Sequence, residues 1–290
     1  MRIQVTDVFL RDGLQDEDAI VSVEDRIAIG EAIAAAGIGR LEVASFVNPA
    51  RVPQMAGAEH VLAGMKARTT AELTVLTLNG KGVARAVESG ARNIQIVTSA
   101  SQAHSTANAG RGIDEAMASL AAEVVKYPDA NFFAGISTAF TCPFEGRIDR
   151  DRLLKIVRAF KDMGVRDIGL ADTLGTTGPE EAMASVHHVL DAEPGLTYYL
   201  HLHNAHGRAL ETVDAAIAAG ITRFDAALGG YGGCPFAPGA HGNIATEELV
   251  RHLHAAGHET GIDEDRLAEA VELGRATLAR SPRVAEPATR

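Results

Sequence analysis

Short runs rich in β-branched and aromatic residues alternate eight times with longer Ala- and Leu-rich stretches of helical periodicity, and each pair takes roughly 30–35 residues. A strand that is followed by a helix before the next strand begins is a βα unit. The repeat therefore restricts the chain to a parallel α/β architecture. Strands are predicted at 3–9, 40–45, 73–78, 93–98, 132–138, 166–171, 197–203 and 223–227. Helices are predicted near 23–36, 57–67, 81–90, 113–126, 150–163, 179–192, 208–220 and 245–257, with a further one at 263–279. Gly37, Gly90, Gly164 and Gly220 each stand between a helical run and the next strand, where a left-handed cap suits glycine. Pro179 falls at a helix start, which tolerates its missing N–H, and Asp149 and Thr246 suit an N-cap or first turn. Eight units without a composition break predict one closed (β/α)8 TIM barrel with an additional C-terminal helix over residues 1–280. An open doubly wound sheet is the structural alternative. Residues 281–290 hold two prolines and little apolar surface, and read as a flexible tail.

Charge narrows the partners. Lys and Arg total 27 against 38 Asp and Glu, a net −11. That balance excludes nucleic acid or an anionic membrane as the main partner, though an anionic small molecule needs only a local basic cluster. Two cysteines in 290 residues make no disulfide framework, so a reducing, cytoplasmic setting is expected. The amino terminus enters apolar alternation at once, unlike a signal or transit peptide. No run approaches the ~18 consecutive apolar residues of a membrane span. A homodimer or higher homo-oligomer is expected.

In a barrel of this kind the active site lies at the carboxyl ends of the strands, and the chemically expensive residues collect there. Arg11-Asp12-Gly13-Leu14-Gln15 follows the first strand. Glu42 interrupts an apolar second strand that runs on to Ser45, and Asp172 follows the sixth. The seventh ends His201-Leu202-His203, and a glycine-rich stretch from Gly229 to Asn243, containing Cys234, follows the eighth. Residues i and i+2 of a strand share a face, so both imidazoles look one way. A lone His-x-His is more often a pair satisfied by backbone or water. Here a closed barrel brings Asp12 within one strand of it and Asn243 follows strand eight. Two imidazoles, a carboxylate and an amide oxygen with open positions suit Mg²⁺ or Mn²⁺ better than structural zinc. Cys234 sits among four glycines, where a filler role is the weaker reading, whereas Cys142 has no acid or imidazole beside it and reads as structural. His187, His188, His252, His254 and His258 fall on or near helices and read as solvated surface.

These segments resemble the hydroxymethylglutaryl-CoA lyase family, within the metal-dependent barrel lyases and Claisen-condensing enzymes. The resemblance is carried by Arg11-Asp12-Gly13-Leu14-Gln15, Ser45-Phe46-Val47, Val52-Pro53-Gln54-Met55, Cys142-Pro143-Phe144-Glu145-Gly146 and Asp172-Thr173. It continues in His201/His203, Gly232-Gly233-Cys234-Pro235-Phe236-Ala237 and Gly242-Asn243-Ile244-Ala245-Thr246-Glu247. It implies cleavage of 3-hydroxy-3-methylglutaryl-CoA or a related 3-hydroxyacyl-CoA to acetyl-CoA and a keto acid such as acetoacetate. Asp12, His201, His203 and Asn243 would be the metal ligands. Arg11 would stabilise the thioester enolate and Cys234 would transfer a proton. Glu42, Asp172 and Glu247 would be supporting acids, with Gln15, Ser45, His206 and His241 at the substrate. Coordination to a divalent ion lowers the pKa of a tertiary hydroxyl, and a guanidinium suits the charge that develops on the thioester oxygen.

The chain departs from the family pattern after strand seven, where Asn204-Ala205-His206 replaces the usual acid, hydroxyl and phenol, and at His241. Gly135 stands where a tyrosine is expected. The departures predict altered contacts around the acyl chain, with Gly135 opening volume, and leave the ligand set intact. Arg51 and Lys81 are candidates for the CoA phosphates by loop position alone. Two other readings share part of the pattern: a condensing enzyme of the isopropylmalate or homocitrate synthase type, and a barrel that binds metal or acyl-CoA without turnover.

Overall fold

A computed structural model describes residues 1–233 and 241–284. Eight parallel strands close into a barrel: β1 (Gln4–Asp7), β2 (Arg40–Ser45), β3 (Glu72–Thr77), β4 (Asn93–Ser99), β5 (Asn131–Ser137), β6 (Asp167–Asp172), β7 (Thr197–Leu202) and β8 (Arg223–Ala226). Each pairs with its neighbours in sequence, and β1 closes the ring on β8 with Asp7 opposite Ala226. The open-sheet alternative is therefore excluded.

Alternation explains both faces of these strands. In β2, β6, β7 and β8 one set of alternate residues (Leu41, Val43, Ile168, Leu170, Leu200, Phe224) is buried in the apolar core. The other set turns inward and is largely polar: Arg40, Glu42, Tyr199, Arg223 and Asp225 line a small cavity inside the barrel. Barrel interiors are usually filled by branched aliphatic side chains, so this polar layer is a departure with consequences for the site.

Around the barrel run α1 (Val23–Ala35), α2 (Ala58–Arg68), α3 (Gly80–Glu88), α4 (Gln102–Ala109), α5 (Ile113–Val124), α6 (Arg150–Asp162), α7 (Pro179–Ala192), α8 (Ala209–Ala218), α9 (Thr246–Ala255) and α10 (Glu264–Arg280). Local signals set many boundaries. Asp149 caps α6 by accepting from the Arg152 amide at 2.9 Å, Pro179 opens α7, and Gly37, Gly90, Gly164 and Gly220 all adopt positive φ. Thr246 opens the first turn of α9 without capping it, and its hydroxyl donates to Asp7 at 2.6 Å.

Three features depart from the predicted elements. Helix α4 is additional, capped by Ser101 Oγ, which accepts from the His104 amide at 3.1 Å. The predicted first strand, 3–9, stops at Asp7. There the side chain accepts the Phe9 amide at 2.9 Å and turns the chain into a π-helical segment, Phe9–Gly13, whose Gly13 amide reaches back to the Val8 carbonyl. Such π turns recur at functional sites, and this one carries Arg11 and Asp12. The third departure is at the carboxyl end, where a flexible tail was expected to begin at Ser281. Instead the Pro282 carbonyl accepts the Ile20 amide and the Val284 amide donates to the Asp18 carbonyl, so this stretch is paired; residues 285–290 lie outside the described ones. No helix among the described residues is long and apolar enough to cross a membrane.

Asp7 is buried beneath this turn. Burial pushes its carboxyl up to about 7, against the opposing hydrogen bonds from Thr246 and Phe9. The folded protein thus retains a proton that the unfolded chain releases near the ordinary carboxylate value. Stability contributed by this group is full below about pH 4 and is lost as pH rises towards 7. Denaturant unfolding should show the native chain losing on the order of a few kcal/mol relative to Asp7→Asn across that window. Parallel pH curves for the two proteins would remove Asp7 from the account.

Candidate active site

The site is assembled at the carboxyl-end mouth of the barrel from β1, β7 and the segment after β8. His201 lies in β7 and His203 just beyond its end; Asn243 reaches them because residues 242–244 run alongside 202–204. The Ile244 amide donates to the Leu202 carbonyl at 3.1 Å, the Asn204 amide donates to the Gly242 carbonyl at 2.9 Å, and Asn243 bridges His203. Asp12 Oδ2 lies 3.8 Å from His201 Nε2 and 3.7 Å from His203 Nε2, and the two Nε2 atoms are 3.2 Å apart. Asn243 Nδ2 donates to Asp12 Oδ2 at 2.7 Å and to the Tyr231 carbonyl at 2.9 Å.

Two observations fit this cluster to a divalent ion. The first is tautomeric. His203 Nδ1 can only donate to the His241 carbonyl, and His201 Nδ1 meets Asp225 Oδ2 at 3.3 Å. Both protons are thereby placed on Nδ1, leaving two bare Nε2 lone pairs aimed at one point, as metal-binding histidines require. The second is an orphan: Asn243 Oδ1 is buried with no hydrogen-bond partner among the described residues. Asp12, His201 and His203 form the one carboxylate–imidazole cluster among the described residues with this convergence.

Electrostatics agree with a ligand role. Burial opposes ionisation of Asp12, but Arg11 and the two histidines outweigh it and hold the carboxyl down at about 2. Burial pushes His203 down to about 4 despite Asp12, keeping the imidazole neutral. His201 moves the other way: burial would lower it, and Asp225 and Asp12 raise it. Arg11 is buried between Asp12 and Glu42, with Nε donating to Glu42 Oε2 at 2.5 Å. Its pKa is raised, because those two carboxylates outweigh burial. Glu42 is itself raised by burial, with Arg11 opposing.

A cavity of about 90 Å³ opens from Arg11, Asp12, His201 and His203, with Gln15 and Gly233 at its rim. Of the remaining sequence-predicted residues, most stand off from it. Glu42 reaches the site only through Arg11. Asp172 is spent on its own loop, accepting from Thr177 Oγ1 at 3.0 Å and from its amide at 3.1 Å; burial raises it to about 6 against those bonds. Glu247 Oε2 accepts the Gly229 amide at 3.0 Å and so holds the base of the glycine-rich stretch. Ser45 Oγ is buried without a partner among the described residues. The His206 side chain is exposed beside Asp172 rather than in the cavity. His241 is exposed as well, and its carbonyl rather than its ring touches the site. Cys234 lies outside the described residues, while Cys142 is buried and donates to Ser101 Oγ at 2.9 Å. Arg51 and Lys81 are exposed. Three helical histidines are paired rather than merely solvated: His188, His252 and His254 meet Asp151, Asp214 and Glu264.

Gly135 does not simply open volume. A Cβ there would lie 2.7 Å from Gln95 Nε2 and 3.0 Å from Val97 Cγ2, so the space is already shared with Gln95. Gly232 has the stricter demand: φ is +113°, and a Cβ would collide with Asn243 Nδ2 and lie 2.9 Å from Asp12 Oδ2. Asp225, Gln95 and Tyr199 are the site residues that the sequence reading passed over. A signal existed, since each is a polar or phenolic residue at an inward position of a strand.

A closed βα barrel with a buried carboxylate–imidazole cluster and a guanidinium at its mouth defines the class of metal-dependent barrel lyases. The chain belongs to the HMGL-like family, whose profile matches residues 2–273, and it is a carbon–carbon lyase of the hydroxymethylglutaryl-CoA lyase type. It is similar to the (R)-citramalyl-CoA lyase of Chloroflexus aurantiacus, 39% identical over 96% of this chain and 92% of the relative. It also resembles the 3-hydroxy-3-isohexenylglutaryl-CoA/hydroxymethylglutaryl-CoA lyase of Pseudomonas aeruginosa, 32% identical over 97% of this chain and 94% of that one. An HMG-CoA lyase from A. baumannii, solved with coenzyme A and 3-methylmalate, superposes with a TM-score of 0.92 at 37% identity, covering 98% of this chain and 93% of that chain.

Because Asp225 fixes the His201 tautomer, Asp225→Asn should weaken Mn²⁺ binding by about 10–100-fold, the usual effect of losing such a partner. Titration followed by electron paramagnetic resonance measures this without any turnover. Unchanged affinity would mean that Asp225 does not orient the ligand.

Proposed function

We propose that the chain cleaves a 3-hydroxy-3-methylacyl-CoA bearing a terminal carboxylate, with Asp12, His201, His203 and Asn243 holding Mg²⁺ or Mn²⁺. The observation that carries the reading is the convergence of the Asp12 carboxylate and two bare imidazole nitrogens beside a guanidinium buried at the cavity. Two substrates fit the class. Hydroxymethylglutaryl-CoA would give acetyl-CoA and acetoacetate. Citramalyl-CoA, one methylene shorter before its carboxylate, would give acetyl-CoA and pyruvate. Similarity to the Chloroflexus enzyme favours the shorter acid.

A divalent ion held by these residues would supply Lewis acidity, lowering the pKa of the substrate's C3 hydroxyl by several units. Asp12 is the carboxylate on the cavity wall among the described residues, which supports it as the acceptor of that hydroxyl proton. Held down at about 2 by Arg11 and the histidines, it is a weak base, which is why the hydroxyl must be acidified first. As the C2–C3 bond breaks, charge moves to the thioester oxygen. Arg11 answers it with the guanidinium edge not used by Asp12 and Glu42. Glu42 positions that guanidinium. Cys234 then returns a proton to the acetyl carbanion, Glu247 holds Gly229 at the start of the glycine-rich sequence that contains Cys234, and Asp172 holds the turn that follows it. Gln15 at the rim is a substrate contact, and Arg51 and Lys81 remain the basic side chains proposed for the CoA phosphates.

Acetyl-CoA release from both thioesters is the test. Metal-stripped protein should be inactive and recover with Mg²⁺ or Mn²⁺, and Arg11→Met should lower kcat by about 10²–10³-fold, the range for losing one charge-stabilising donor. Cys234→Ser should likewise cost turnover while leaving Mn²⁺ affinity unchanged. No metal-restored release from either substrate would sink the reading.

A further inference from the structure

Two cavities are stacked along the barrel, and the same two side chains line both. The upper one is the cavity of about 90 Å³ at Arg11, Asp12 and His201. The lower one, about 20 Å³, is enclosed by Arg40, Glu42, Arg223 and Asp225 and has room for about one water. Gln95 of β4 and Tyr199 of β7 are shared by the two linings. Gln95 Nε2 donates to the Tyr199 hydroxyl at 2.9 Å, and that hydroxyl donates to the Ala134 carbonyl at 3.0 Å. The guanidinium of Arg223 stacks over the Tyr199 ring from the other side, 5.6 Å from its centroid. Two glycines make room for the pair: a Cβ at 135 would approach Gln95 Nε2 to 2.7 Å, and a Cβ at 169 would run into the Tyr199 ring.

We propose that the Gln95–Tyr199 pair is the end wall of the acyl pocket and limits the substrate's C3 branch to a methyl-sized group. The inference rests on the lyase reading above. A CoA thioester can enter only from the open mouth, and the C3 hydroxyl is anchored at the metal-binding residues, so the thioester arm points outwards. The anionic carboxylate arm of C3 belongs with the hydroxyl at the metal-binding residues, which leaves the C3 alkyl branch to point down the barrel towards the pair. A longer alkyl branch would have to displace a hydrogen-bonded side chain held from two strands. It would then press apolar carbon against the buried Arg40, Glu42 and Asp225 and the half-buried Arg223, whose polar groups gain nothing from it. The wall therefore rejects length twice, by shape and by the polarity of what lies behind it. The relative from Pseudomonas aeruginosa is named for a substrate with an isohexenyl branch; this chain, by its end wall, selects the opposite extreme.

Binding separates this inference from the reaction. Non-cleavable thioether analogues of the 3-methyl and 3-pentyl acyl-CoA, which lack the thioester carbonyl, are titrated calorimetrically into Mn²⁺-loaded protein. The native chain should prefer the methyl analogue by at least about tenfold, the effect of even one misfitting methylene. Gln95→Ala, which opens the wall, should bring the preference towards unity. Gln95→Leu, which refills the space without the hydrogen bond, should keep it. Equal affinity of the native protein for both analogues, or identical preferences in the Ala and Leu variants, overturns the proposal. Methyl selectivity without acetyl-CoA release from the true thioesters would leave the wall standing and overturn the catalytic reading. Release with no selectivity would do the reverse.

Discussion

Everything at the mouth of this barrel depends on how one buried guanidinium is neutralised. Arg11 has carboxylates on two sides, Asp12 and Glu42, and a buried charge persists only when paired and hydrogen-bonded. The pairing is asymmetric in its effect. Asp12 is left as an ionised carboxylate that also faces two imidazoles, while Glu42 is raised by burial and anchors Arg11 from behind. One contact thus serves both halves of the chemistry. It keeps a hard anionic oxygen at the histidines, where a divalent ion is favoured, and it keeps a cation at the cavity, where the proposed cleavage would build charge on a thioester oxygen.

The backbone makes that pairing possible. Arg11 and Asp12 are consecutive, and on a regular strand their side chains would point to opposite faces. The π turn at Phe9–Gly13 removes this constraint, and Asp7, by accepting the Phe9 amide, is what ends the strand in time. The same carboxylate accepts from Thr246 at the start of α9. The chain that delivers Asn243, three residues earlier, is therefore tied to the turn that delivers Asp12. Gly232 completes the closure by passing too near Asn243 and Asp12 for any side chain.

The barrel, its strand positions and the convergence of Asp12 with His201 and His203 were legible because each left a periodic or positional mark: eight alternations, glycines at helix ends, and two histidines at i and i+2. The inward layer was legible by the same rule and was passed over. Arg40 and Glu42 stand two apart, as do Arg223 and Asp225, and Tyr199 precedes His201 by two. Each pair reads as an inward face once the strand is assigned. The π turn was not legible, since the Asp7–Phe9 hydrogen bond that starts it spans only two residues and leaves no periodic mark in Phe9 to Gly13. His206 and His241 were placed at the substrate because they differ from the family pattern. A difference in residue type does not say which way a side chain points, and both point to solvent.

Strand membership separates chemistry from selectivity in this barrel. The residues proposed to bind the metal come from the turn after β1, from β7 and from the segment after β8, whereas the proposed end wall comes from β4, β5 and β6 together with Tyr199. Changes on the β4–β6 side can reshape the acyl pocket without touching Asp12, His201 or His203. Tyr199 is the exception, because it sits two residues before His201 on the same inward face of β7. Its hydroxyl receives Gln95 while the Arg223 guanidinium covers its ring, and Arg223 itself lies two residues before the Asp225 that holds His201. A substitution at Tyr199 therefore disturbs the partner of a ligand as well as the floor of the pocket. Substrate range in this architecture should change more readily through Gln95, Gly135 and Gly169 than through the tyrosine they surround.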